Sequence, residues 1–180
     1  MGTRSALVAV WIAGLMTSAG AATNASGGEP RLLIPADAGE KFSRHGGVLV
    51  LKVGPQNAGA TQLFIGTMEL PAGGVIPTHR HDRDEEVLYV VDGELDVVLN
   101  DRQLRATRGD TVFVPVGTWM TVRNNGANAA RLLGIFARAD METCMRLLQT
   151  QGAPSGHESA AQGMPAVCQM SVPQPESRAK

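Results

Sequence analysis

The amino-acid sequence predicts an all-β fold, built as an antiparallel sandwich or barrel. Three observations lead there. Short apolar runs rich in Val, Ile, Leu and Thr recur about every eight to twelve residues, with turn residues between them. The 180 residues include 21 Gly and 10 Pro, punctuation that suits many short strands better than long helices. The dipeptide Asp92-Gly93 stands between two apolar runs, which predicts a hairpin.

The elements follow in chain order. Gly47 to Val53 (GVLVLKV) is β-branched and apolar, and Gly54 to Gly59 marks a turn. Thr61 to Leu70 is the next strand, stopped by Pro71-Ala72-Gly73-Gly74. Val75 to His81 is extended, Val87 to Val91 runs into Asp92-Gly93, and Glu94 to Leu99 follows. Asn100-Asp101 turns the chain into Gln103 to Ala106, and Arg108-Gly109-Asp110 turns it into Thr111 to Val114. Trp119 to Arg123 precedes Asn124-Asn125-Gly126, and Ala130 to Ala137 closes the series. One helix comes after. Asp140 fits its N-cap, Met141, Cys144, Met145 and Leu148 repeat at helical spacing, and Gly152 fits its stop. Glu142 lies one turn before Arg146 and can pair with it.

The two ends read differently from the middle. Arg4 is the only charge before Glu29, Ala6 to Met16 is apolar but short for a membrane span, and Ala19-Gly20-Ala21 follows in a small-residue stretch. That order is the pattern of a secretory signal peptide, so a periplasmic or secreted protein with no membrane span after cleavage is expected. From Pro154 the composition turns to Pro, Gly, Ser, Gln and Ala, an irregular tail. The expected organisation is therefore a signal peptide over 1–22, a linker and arm over 23–40, a barrel over 41–138, a helix over 139–152 and a tail over 153–180. The two cysteines, Cys144 and Cys168, match no zinc spacing. In an exported protein they read as a disulfide fastening the tail, with two unpaired thiols as the alternative.

Composition narrows the function. Hydrophobic residues make up 43%, enough for a core, and 16 Lys and Arg face 17 Asp and Glu without clustering. That leaves no basic face for nucleic acid. No phosphate-binding loop, dinucleotide fingerprint or Ser-His-Asp arrangement is present. What remains is His79-Arg80-His81 in an extended segment. Alternation on a strand turns both imidazoles to one face, and with a nearby carboxylate they make a transition-metal half-site. His45 and His157 have no such context.

Gly73, five residues, His79, Arg80, His81, four residues, Glu86, six residues and Gly93 form one gapped motif. Gly109, five residues, Pro115, Val116, Gly117, then Met120, three residues and Asn124 form a second. Together they resemble the two motifs of the cupin superfamily, in the small single-domain exported bacterial form of the quercetinase-like type, with Met120 where His is usual. The resemblance implies a cupin jelly-roll β-barrel, often paired as a homodimer, and a metal held by His79, His81 and Glu86. The spacing to Gly93 selects Glu86 and leaves Glu85 as a solvated turn residue with Asp82, Arg83 and Asp84.

Met120 keeps three readings open: a non-coordinating wall residue, a weak ligand, or the mark of a site without metal. Two imidazoles and a carboxylate suit one divalent transition metal, with Fe, Mn, Zn, Ni and Cu not distinguished. Trp119, beside Met120, is the candidate for a pocket wall. The first functional expectation is a metal-dependent dioxygenase-like oxidoreductase acting on a small molecule. The alternatives are a metal- or small-ligand-binding cupin without turnover and a metal-free sugar isomerase-like cupin.

Overall fold

The computed structural model describes residues 30–44, 46–151 and 166–173. The expected signal peptide, His45 and His157 lie outside these residues. Among the described residues, eleven strands form two antiparallel sheets. They are β1 (Lys41–Arg44), β2 (Gly47–Val53), β3 (Phe64–Leu70), β4 (Val75–His81), β5 (Glu86–Asp92), β6 (Glu94–Leu99), β7 (Arg102–Thr107), β8 (Thr111–Val114), β9 (Met120–Arg123), β10 (Ala130–Phe136) and β11 (Met170–Ser171). The larger sheet runs β1-β2-β3-β10-β5-β8 and the smaller runs β11-β4-β9-β6-β7. Strand β3 pairs with β10, β4 with β9, β5 with β8 and β6 with β7. This nesting around the Asn100-Asp101 turn is that of a jelly roll. The sheets pack face to face, and no ladder joins them among the described residues.

Alternation along the strands builds the interior. In β5, Leu88 and Val90 are buried while Tyr89 is exposed, and in β10 Ala130 and Leu132 are buried. One core cluster gathers Leu70, Leu88, Val90, Leu95, Val97, Val122 and Leu132 between the sheets. A second, with Phe42, Leu51, Phe64 and Phe136, receives the buried face of helix α2 (Met141–Gln151). Met141, Cys144, Met145 and Leu148 supply that face at the helical spacing the sequence predicts. Glu142 is also buried. Its carboxylate accepts from Arg146 and from the backbone N–H of Gln56, in the one-turn helix α1 (Pro55–Ala58). No helix among the described residues is long and apolar enough to cross a membrane.

Three expectations are corrected. Asp92-Gly93 is not a hairpin, because β5 and β6 lie in different sheets. It is the corner where the chain crosses between them. Gly93 there has φ +81, and a Cβ would come within 2.9 Å of Ala130. Gly54 to Gly59, read as a turn, holds α1. The tail is more than irregular chain: Ala166–Cys168 forms a 3-10 turn and β11 pairs with β4, Met170 opposite His81. Cys144 and Cys168 are joined as a disulfide.

Candidate metal centre

The site begins with an irregularity in β4. Pro77 has no N–H for the ladder, and the register of β4 against β9 shifts between Ile76 and His79. The shift lets Ile76, His79 and His81 all be buried. Pro77 keeps its carbonyl, which accepts a 2.8 Å hydrogen bond from His79 Nδ1. A carbonyl only accepts, so the proton sits on Nδ1 and Nε2 carries the lone pair. Glu86 opens β5 in the facing sheet and closes the group from the other side.

One donor atom from each of His79, His81 and Glu86 lies within 4.8 Å of the others, and all three residues are buried. The imidazole rings of His79 and His81 are 5.2 Å apart, nearly perpendicular. His81 Nε2 is 3.3 Å from Glu86 Oε2, and His81 Nδ1 is 3.3 Å from Asp84 Oδ2. These approaches lack hydrogen-bond geometry. His81 Nδ1 and Nε2, Asp84 Oδ2 and Glu86 Oε2 are therefore buried without a hydrogen-bond partner. Buried polar atoms of that kind are costly unless something else satisfies them. Two donors about 2.1 Å from one ion and at right angles to it lie about 3 Å apart, close to the His81–Glu86 spacing. The donor set and its orphaned atoms thus fit a divalent transition metal.

Burial pushes the His79 pKa down, so that ring is neutral near pH 7. For His81, burial also opposes charge, but the Asp84 and Glu86 carboxylates outweigh it and raise the pKa to about 9. Asp84 is 3% exposed, contrary to the solvated turn residue expected, and is held by Arg138 at 3.1 Å. Arg138 also donates to the carbonyls of Val167 and Cys168 and to Asp140. Asp84 thus stands 3.3 Å behind a candidate ligand, the place from which carboxylates orient metal-bound imidazoles. Neither residue was legible as functional. Asp84 is one acid among four in Asp82 to Glu86, and Arg138 lies far along the chain.

The trio opens on a cavity of about 200 Å³ between the sheets. Its wall includes Met68, Met120, Met145, Met170, Phe136 and Arg44. Met120 lies opposite His79 in the ladder and is buried. Trp119 does not line the cavity. Adjacent strand residues point to opposite faces, and its ring lies 4.8 Å from the guanidinium of Arg80. Glu85 is exposed, as the motif spacing requires.

The class these features define is a jelly roll with an interior cavity and a histidine-carboxylate group inside it. The chain carries a cupin domain: residues 66–136 match the cupin domain family. The tetracenomycin polyketide synthase protein TcmJ of Streptomyces glaucescens is 32% identical over 90 residues, covering 50% of this chain and 60% of its own length. Polyketide synthase CurC of Streptomyces cyaneus is 35% identical over 96 residues, covering 52% and 61%. The chain thus spans about three-fifths of the length of these relatives. The crystal structure of an RmlC-like cupin from Shewanella frigidimarina matches with a TM-score of 0.54 at 20% identity, covering 63% of this chain and 96% of that one. At that identity the likeness concerns the fold.

Proposed function

We propose that this protein holds one divalent transition metal on His79, His81 and Glu86 and acts as a dioxygenase-like oxidoreductase on a small molecule seated in the cavity. The observation that carries this reading is the set of orphaned polar atoms on His81 and Glu86, beside His79 and facing an apolar chamber. Two imidazoles and one carboxylate leave coordination positions open, and iron in such a set supplies oxygen chemistry. The chain's own residues do the rest. The Pro77 carbonyl fixes the His79 ring, Asp84 stands 3.3 Å behind His81, and methionines line the chamber. Similarity to proteins of polyketide synthases supports a carbon-rich substrate. Export is part of the proposal: a disulfide belongs in an oxidising compartment, as the signal-like N-terminus also suggests.

The test is metal analysis of untagged protein, followed by oxygen-electrode measurements with candidate phenols and diketones. About one equivalent of a first-row metal is expected, lost in His79→Ala and His81→Ala. Oxygen uptake dependent on metal and substrate supports the oxidoreductase reading. Stoichiometric metal with tight small-molecule binding and no uptake would favour a binding module. Absence of metal from all preparations would refute the centre itself.

A further inference from the structure

We propose that Arg44 anchors the charged end of the molecule that enters the cavity, so that the site selects a small carboxylate with a flat apolar body. This rests on the cavity being the ligand site, as proposed above. Arg44 is the last residue of β1 and lines the chamber with His79 and Met68. Among the described residues, the other half-buried arginines each face a carboxylate. Arg80 faces Asp82, Arg138 faces Asp84 and Asp140, and Arg146 faces Glu40 and Glu142. Arg44 makes no ion pair or side-chain hydrogen bond among these residues, although burial already pulls its pKa down. The carboxylate that lines the chamber, Glu86, faces His81 at 3.3 Å within the candidate metal group.

A half-buried guanidinium without a counter-ion among the described residues is an expensive arrangement that an entering anion relieves. Its planar fork fits a carboxylate with two parallel hydrogen bonds. The remaining wall specifies the body of the ligand. Met68, Met120, Met145 and Met170 are pliable and favour contact with ring edges. Gly66 and Gly134 stand opposite each other on β3 and β10 and line the chamber beside the Phe136 ring, adding no side chain of their own. The 200 Å³ volume compares with about 150 Å³ for an apolar cavity that holds benzene. One substituted ring fits inside.

Benzoate and benzamide, matched in shape but not in charge, test the anchor. Both are titrated calorimetrically into wild-type, R44M and R44K protein, each with and without metal. Wild type is expected to prefer benzoate by about tenfold or more, the worth of a charged hydrogen bond. R44M should lose the preference while retaining benzamide affinity and metal content, and R44K should fall between. Equal binding of both probes to wild type, or no binding of benzoate, overturns the proposal. So does an undiminished preference in R44M or, if R44M fails to fold, in R44K. The metal-free arm separates this inference from the reading beneath it. A preference that survives metal removal and vanishes in R44M supports the anchor even if the metal centre fails. A preference that leaves with the metal and persists in R44M places the carboxylate on the metal and refutes the anchor.

Discussion

His81 lies between two carboxylates, and its charge is the most sensitive quantity in the site. In the metal-free protein its pKa is raised to about 9. The stability it contributes is therefore fully present below its ordinary value of 6.5 and is lost as pH rises through about 9. The urea midpoint of metal-free protein should fall across that window, and the fall should flatten in His81→Gln. His79 works in the opposite sense, since burial keeps it neutral. Asp84 provides a second check. Asp84→Asn weakens the acceptor behind His81 and should reduce metal affinity roughly 10- to 100-fold, read by chelator competition at unchanged stoichiometry. Met120 provides a third. Met120→His sets an imidazole opposite His79, and metal should then leave to a chelator more slowly. Unaltered release would remove any case for that position as a ligand site.

At the scale of elements, the C-terminal strap decides how the site is closed. The disulfide between Cys144 and Cys168 ties it to α2, Arg138 holds its carbonyls, and β11 lies along β4 so that Met170 reaches the chamber. Cys168→Ser should lower unfolding free energy by roughly 3 kcal/mol in a denaturant titration. Metal binding should weaken with it, because Arg138 then loses the strap it shares with Asp84. Helix α2 was readable because its buried face repeats every third or fourth residue. β1 and β11 were not. Both are short, and each exists by pairing with a partner strand. Asp92-Gly93 misled for a related reason: turn chemistry shows that the chain bends, but not whether the next strand stays in the same sheet.

Across the whole molecule, the candidate metal group was legible through its resemblance to the first cupin motif, because His79, His81 and Glu86 fall within eight consecutive residues. Arg44 and Arg138 could not, since the folded sheets bring them to the site from distant segments. Asn124, the last residue of the second motif, shows such long-range fastening. Its amide donates to the carbonyls of Leu70, Pro71 and Asn128, and its oxygen accepts from Gly126. Asn124→Ala strands these buried groups and should cost about 1–3 kcal/mol of unfolding free energy, with metal stoichiometry preserved.

The chamber is assembled from unequal inheritances. Every candidate ligand lies inside the stretch that matches the cupin domain family, residues 66–136, whereas Arg44, Met145, Met170 and Val172 come from outside it. The candidate ligands thus come from one passage of the polypeptide, while the proposed anchor and part of the wall come from others. A lineage could exchange its opening and closing segments and acquire a new diet while leaving its chemistry untouched.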